Sequence, residues 1–241
     1  MKTILVIDPV VMDAWDAQDR QEYLEYMNRV KGPKTVIKAV SITRGPVSIE
    51  TFYDESFAVP EILRAIEDQG SGSDAIMVNC FADCGVRAVR EITGVPVVGA
   101  AEASMALALL LGHRLAVVST GESAGPGTEL QARAMGVEGR LAAAVGITIP
   151  VLGLGADRNE TARQLISAAA TAEEVLASQP TTHALKRRTF RGRLWLRRLA
   201  GRSVPAYPGV PSHLSACDCL AGLADLTIEM VYRFIDDLRY R

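Results

Sequence analysis

The sequence predicts an α/β fold with a doubly wound, mainly parallel sheet. The first observation is a series of short apolar runs, each of strand length, at residues 3–7, 35–40, 75–79, 95–99, 114–119 and 146–152. The second is that longer segments with helical patterning lie between and after them, at 13–30, 57–69, 101–112 and 158–178. Such alternation is typical of βαβ units. In sheets of this kind the ligand binds beyond the carboxyl ends of the strands.

The composition of each run justifies its assignment. In chain order the strand candidates read TILVI, TVIKAV, AIMVN, VPVVG, RLAVVS and GITIPVL, all rich in valine, isoleucine or leucine. The alternation stops near residue 175, because residues 175–217 contain no aspartate or glutamate and residues 186–202 carry eight basic side chains. Periodic apolar patterning resumes only towards a closing helix at about 215–241. No strand and helix unit can be assigned through the middle of this stretch.

The whole chain reads as an ordinary globular protein. With 241 residues, 49% of them hydrophobic, it can bury a sizeable core as one domain or as two similar lobes. A net charge of -2 gives no general attraction to nucleic acid or membrane. The first apolar run is too short for a signal peptide, and residues 95–111 are interrupted by Pro96, Gly99 and Glu102, so no membrane span is expected. We therefore expect a cytoplasmic protein.

The four cysteines lie at positions 80, 84, 217 and 219. In a reducing cytoplasm disulfides are not expected, and this spacing without nearby histidines is a poor zinc pattern. Each cysteine is therefore predicted either to take part in chemistry or to serve as a packing residue. No metal is predicted.

Polar or reactive side chains follow three of the predicted strands. They are Asp8 after the first strand, Asn79 and Cys80 after the third, and Ser119 and Thr120 at the end of the fifth. Because the carboxyl ends of parallel strands form the ligand-binding edge, these residues are the candidate site.

Cys80 lies between a predicted buried strand and a predicted helix at residues 85–91. A helix N-terminus favours the thiolate, which can act as a nucleophile or a general base. The alternative is a small buried residue at a strand end, since free cysteine is among the most buried residue types. For Cys84, one turn later, packing under the helix start is the favoured interpretation.

Linked motifs then point to a family. The runs GPVSIETFYDESFAVPEIL (45–63) and AIMVNCFADCGV onward to VVST (75–120) resemble the hydantoin/allantoin racemase branch of the aspartate/glutamate racemase superfamily. That branch has a GP-SIE-YYDE-AVP segment, a strand ending in cysteine before F-G-D-P-G, a VPVVG-GEA segment and a strand ending in Thr-Thr. The corresponding residues here are Gly45-Pro46, Ser48-Ile49-Glu50, Phe52-Tyr53-Asp54-Glu55, Cys80-Phe81-Ala82-Asp83-Cys84-Gly85, Glu102-Ala103 and Ser119-Thr120. The resemblance covers residues 1–180, broadly.

The resemblance implies two similar Rossmann-like lobes, each with a mainly parallel four-stranded sheet, and an active site in the cleft between them. The first lobe would span residues 1–100, with a helix at about 215–241 packing back on it. The second lobe would span 101–214 and is atypical from about residue 184.

The resemblance also implies a racemase that needs no cofactor and uses one cysteine on each face of a flat substrate. Cys80 would take or return the hydrogen on the carbon next to a carbonyl of a hydantoin or allantoin. Substrate contacts would come from Asp8, Asn79, Phe81, Ser119 and Thr120. The expected partner is a small cyclic ureide or amino-acid derivative; a membrane is excluded, nucleic acid is not favoured, and a homo-oligomer is left open.

Two departures from the family pattern stand out near the site. The first strand usually ends in Asn-Pro-Asn-Thr, whereas this chain has Asp8-Pro9-Val10-Val11. An ionised aspartate accepts hydrogen bonds but cannot donate them as an amide does, so the polar edge of the substrate is expected to differ. The alternative for Asp8 is a turn residue before Pro9. Cys84 replaces the proline of the pattern.

The second catalytic cysteine of the family pattern is missing. It should end a strand about a hundred residues after the first, but that place reads THALKRRTFRGRL, and no cysteine lies between Cys84 and Cys217. Three interpretations are open. Cys217 or Cys219 supplies the thiol; the basic stretch is a divergent element that binds nucleic acid or phosphate; or the reading frame of the gene is disturbed near residue 184. The alternative functions are a single-cysteine decarboxylase or isomerase of the same superfamily and a non-catalytic basic binding module.

Overall fold

The computed structural model describes residues 1–14, 17–121, 123–154 and 156–178. Its described residues fall into two compact units, Met1–Ser104 and a second that begins at Met105. Strands and helices alternate along both, and every strand pair is parallel. The predicted α/β class with parallel sheets is confirmed. The lobe boundary at residue 100 stays a prediction, and the expected closing helix and the basic stretch lie outside the described residues.

The strands and helices of the described chain have the following bounds. The strands are β1 (Lys2–Asp8), β2 (Thr35–Ser41), β3 (Ala75–Val78), β4 (Val97–Gly99), β5 (Leu115–Thr120) and β6 (Leu141–Ile147). The helices are α1 (Ala17–Val30), α2 (Phe52–Gln69), α3 (Val86–Ile92), α4 (Ala100–Leu111), α5 (Ala124–Ala134) and α6 (Arg158–Ser178). Within these residues no helix has the length and apolar character that crossing a bilayer requires.

The first unit contains a four-stranded sheet in the order β2-β1-β3-β4. Strand β1 lies between two partners, so that Val6 is opposite Ala39 of β2 and Met77 of β3. Its residues from Ile4 to Asp8 are all buried, which is the near-continuous apolar run expected of a strand covered on both faces. Because all four strands run in one direction, Asp8 and the residues that follow β3 share the carboxyl edge of this sheet.

Helix α2 begins earlier than the sequence patterns predict, at Phe52 instead of residue 57. Thr51 accepts a hydrogen bond from the amide of Asp54, and the Asp54 carboxylate accepts one from the amide of Thr51. This capping box satisfies amides that would otherwise lack a partner, and it extends the helix through the aromatic residues of its first turn. The helix buries Ala58, Ile62 and Ile66 in the core of the unit.

The second unit differs from the sequence-based prediction at two places. Within the described residues the sixth strand is β6, Leu141–Ile147, whereas the pattern predicted 146–152; a short 3-10 helix at Val151–Gly153 begins inside that predicted range. The start of β6 was not predicted because it is rich in alanine, which has low strand propensity. Helix α5 was also not predicted; its first turn contains Gly125, Pro126 and Gly127, residue types of low helix propensity. A proline in the first turn needs no amide partner, so the helix accommodates it.

Candidate active site

A buried polar cluster lies at the carboxyl end of β1. The Tyr23 hydroxyl lies 2.9 and 2.8 Å from the two carboxylate oxygens of Asp8. The Asn79 side-chain amide nitrogen donates to Asp8 Oδ1 at 2.7 Å and to the Tyr23 hydroxyl oxygen at 3.1 Å. Burial raises the pKa of Asp8 to about 7, against the opposing effect of the hydrogen bonds from Asn79 and Tyr23. Asp8 and Tyr23 together fix the amide of Asn79.

Cys80 begins the turn that leaves β3. The backbone amide of Asn79 donates to the Ile7 carbonyl at 2.9 Å, which ties the end of β3 to β1. The amide of Asp83 donates to the Cys80 carbonyl at 2.9 Å, and Asp83 has a φ of 52°, in the left-handed region. Cys80 itself is half-buried and packs at the rim of the core of the first unit. Cys80 therefore belongs to a short turn that is closed by a backbone hydrogen bond.

Asp83 connects this turn to the start of α4. Its carboxylate accepts hydrogen bonds from the backbone amides of Ala101 at 2.8 Å and Glu102 at 2.9 Å. Gly99, at the N-cap position, has no side chain with which to cap these amides, and a Cβ at Gly99 would collide with the Asp83 carboxylate. Glu102 accepts from the Gly99 amide at 3.0 Å and pairs with Arg90. Together Asp83 and Glu102 satisfy the amides of a capping box.

The environment of Asp83 shifts its ionisation. Burial raises the pKa of Asp83 to about 7, although both amide hydrogen bonds favour the carboxylate. Glu102 has a structural part at the start of α4, where it accepts from the Gly99 amide. Tyr23 and Asp83 were missed as members of the site. The signal for Asp83 was its place in the motif between Cys80 and Gly85, whereas Tyr23 gave no signal beyond a helical position.

Cys84 contacts the sulfur of Cys80. It is buried in the core, as the packing interpretation expected, and its Sγ donates to Cys80 Sγ at 3.9 Å. This hydrogen bond, burial and the nearby Glu55 carboxylate raise the pKa of the Cys84 thiol far above its ordinary value. The Cys84 side chain is a donor to the Cys80 sulfur, while the first amide of α3, at Val86, donates to the Asp83 carbonyl.

The remaining predicted site residues lie at different places. Phe81 follows Cys80 in the same turn and is half-buried. Ser119 and Thr120 end β5 in the second unit, where they are half-buried and lie opposite Gly146 and Ile147 of β6. The structure thus brings Asp8, Asn79 and the Cys80 turn together in the first unit, while the substrate contacts assigned to all of these residues stay predictions. Within the described ranges, no group of three or more histidine, cysteine or acidic side chains has the arrangement of a metal site.

The sequence matches known proteins over much of its described length. The profile of the family described as Asp/Glu/Hydantoin racemase matches residues 21–177. A hydantoin racemase from Pseudomonas sp. (strain NS671) is 44% identical over 86 residues, which are 35% of this chain and 34% of that protein. A hydantoin racemase from Rhizobium meliloti is 33% identical over 144 residues, 59% of this chain and 60% of that protein. The matches therefore span between about a third and three fifths of these curated relatives.

Solved structures agree with this assignment at the level of the fold. The allantoin racemase from Klebsiella pneumoniae superposes with a TM-score of 0.66 at 22% identity, covering 95% of this chain and 93% of that one. The allantoin racemase from Pseudomonas fluorescens gives a TM-score of 0.66 at 20% identity, covering 94% of this chain and 96% of that one. At such identities the likeness shows the fold alone. Because the family profile covers more than half of the sequence, the chain belongs to the Asp/Glu/Hydantoin racemase family.

Proposed function

We propose that the protein is a cofactor-independent racemase of a five-membered cyclic ureide, such as a 5-substituted hydantoin or allantoin, and that Cys80 is its acid and base on one face of the substrate. The observation that carries the proposal is the position of Cys80, a half-buried thiol directly after the carboxyl end of a central strand, in a chain of a racemase family. Membership of the family supports the reaction class, and the curated relatives named as hydantoin racemases support the substrate class.

The proposed reaction begins with transfer of a proton from the substrate carbon to a cysteine thiolate. The Cys80 thiolate takes the hydrogen from the substrate carbon next to a carbonyl, and the electron pair of the broken C–H bond passes to the carbonyl oxygen. The resulting enolate has to be stabilised by donors that already point at the oxygen. Return of a proton to the opposite face of the carbon inverts the centre, while return from Cys80 restores it.

The polar cluster supports a defined part for Asn79. Its Nδ2 group is engaged by the protein itself, because it donates to Asp8 and to Tyr23. The group left to face a ligand is then the side-chain oxygen, which accepts hydrogen bonds and suits an N–H of a ureide ring. In this proposal Asp8 acts by holding Asn79, while Phe81, Ser119 and Thr120 contribute further substrate contacts. The second acid or base is left unassigned, with Cys217 and Cys219 as candidates from the sequence.

The test separates hydrogen exchange from inversion. An enantiopure hydantoin with an aliphatic 5-substituent is incubated in D2O, and deuterium uptake at C5 and optical rotation are followed together, with a blank for the spontaneous reaction. We expect the wild type to take up deuterium and to lose rotation, and Cys80→Ala to do neither. No deuterium uptake by the wild type above the blank, or equal uptake by Cys80→Ala, would refute the part proposed for Cys80.

A matched control tests the second thiol. The double variant Cys217→Ala and Cys219→Ala removes the other candidate cysteines and leaves the Cys80 turn unchanged. Deuterium uptake with loss of inversion in this variant identifies one of the two as the acid on the opposite face. Unchanged inversion excludes both as the second acid.

A further inference from the structure

The two thiols of the Cys80 turn are in contact but occupy different environments. Cys84 Sγ lies 3.9 Å from Cys80 Sγ, within the range of a sulfur hydrogen bond. Cys84 is only 2% exposed, whereas Cys80 is half-buried at the rim of the same apolar cluster. One thiol is therefore partly accessible to a reagent or substrate, and the other is buried.

The surroundings of Cys84 keep it protonated. It packs in an apolar core, and the hydrogen bond to Cys80 and burial both raise its pKa. The Glu55 carboxyl group, from the first turn of α2, acts on Cys84, while the Asp83 carboxylate of the turn is held by the amides of Ala101 and Glu102. Burial and the neighbouring Asp54 raise the pKa of Glu55. A negative charge nearby disfavours a second ionisation, so Cys84 remains a neutral S–H donor.

The backbone holds this donor in place. Asp83, between the two cysteines, has a left-handed φ of 52°, and its side chain is fixed by the amides of Ala101 and Glu102. Gly85, which follows Cys84, has a φ of 69° and caps α3. The i to i+4 contact between the thiols therefore results from a turn held at both ends.

We propose that Cys84 is a positioning residue for Cys80: its S–H donates to the Cys80 sulfur, orients that side chain and stabilises its thiolate. The inference deepens the proposed function and rests on it for its catalytic meaning. A hydrogen bond to a charged acceptor is stronger than one to a neutral acceptor, so the contact strengthens when Cys80 gives up its proton. Cys84 takes no proton from the substrate itself.

The test uses two variants of nearly equal side-chain volume. Cys84→Ala removes the donor, and Cys84→Ser keeps a donor in the form of a hydroxyl. Alkylation of Cys80 by iodoacetamide is followed by mass spectrometry of the tryptic peptide 65–87, which excludes Cys217 and Cys219; in the wild type it also contains Cys84, and fragment ions assign the modified cysteine. Rates are measured across a range of pH without substrate.

We expect Cys84→Ala to alkylate at Cys80 more slowly near pH 7, by on the order of tenfold or more, with its rate profile displaced to higher pH, as loss of a hydrogen bond to a charged group predicts. Cys84→Ser should stay closer to the wild type than Cys84→Ala does. A purely structural part for Cys84 predicts that the buried hydroxyl is at least as harmful as the alanine. Equal rates in the two variants, or an unchanged rate in Cys84→Ala, would overturn the proposal.

This result is independent of the substrate assay. Slower alkylation of Cys84→Ala than of Cys84→Ser supports the inference even where the wild type fails to exchange hydantoin hydrogen, which is a failure of the proposed function alone. Conversely, exchange by the wild type together with equal alkylation of the two variants leaves the proposed function standing and removes the part of Cys84. Thermal melts of both variants confirm that folded protein is compared.

Discussion

Replacing Asp8 by asparagine should flatten the dependence of stability on pH. The pKa of the buried Asp8 carboxyl is raised from 3.8 to about 7, so the folded chain holds this proton more tightly than the unfolded chain. Stability from this group is complete below the unfolded pKa and is lost as pH rises through the folded pKa. Between about pH 5 and about pH 8 the expected loss is on the order of 2 to 3 kcal/mol.

Asparagine carries no charge at any of these values of pH, and its side-chain oxygen still accepts from Asn79 and Tyr23. Urea unfolding of both proteins near pH 5 and near pH 8, followed by circular dichroism, measures the difference. The pKa of Asp83 is also raised, but Asp83 contributes equally to the pH dependence of stability in both proteins, so its contribution cancels in the comparison. We expect Asp8→Asn to lose less stability than the wild type as pH rises. The matched control Asp13→Asn, at an exposed carboxylate, should follow the wild type. A pH dependence that is equally steep in Asp8→Asn would show that the burial argument is wrong.

Two further predictions concern the turn of Cys80 and the gene. Gly99→Ala places a Cβ against the carboxylate of Asp83 and should cost about 2 to 4 kcal/mol of unfolding free energy and slow alkylation of Cys80. Gly94→Ala, where no atom lies within 4 Å, is the matched control and should change little in urea unfolding. If the frame is disturbed near residue 184, nucleotide sequencing across codons 178–220 should reveal a strand ending in Gly-Cys in another frame; its absence from both other frames ends that hypothesis.

The sequence was informative where one strong pattern decided the structure. The first five strands were predicted within a few residues because each is a short apolar run with a polar or turn residue after it, and the candidate site followed from where those runs end. The start of α2 and the bounds of β6 were missed. In both, local chemistry overrode residue preference: a capping box at Thr51 and parallel pairing of an alanine-rich strand with β5.

The site itself was harder to predict than the strands that position it. The i to i+4 spacing of Cys80 and Cys84 was visible, but whether the two sulfurs face each other depends on a left-handed residue at Asp83, which no periodicity reports. Tyr23 reaches Asp8 across a separation of 15 positions. Contacts of this kind depend on how a helix packs against the sheet. A hydrophobic pattern predicts which face of a helix is buried, but it does not predict which side chains that face will meet.

The hydrogen bonds from the first amides of α4 to the Asp83 carboxylate limit how the Cys80 turn can move. A loop of this length is often able to adjust to a ligand, but here its rearrangement would release Asp83 and leave amides of a helix start without partners. The turn and the helix are therefore expected to fold and unfold together, so that the Cys80 side chain is held on a rigid backbone. In the proposed function, adaptation to substrates of different size would then come from side chains around Cys80, and not from the backbone that presents it.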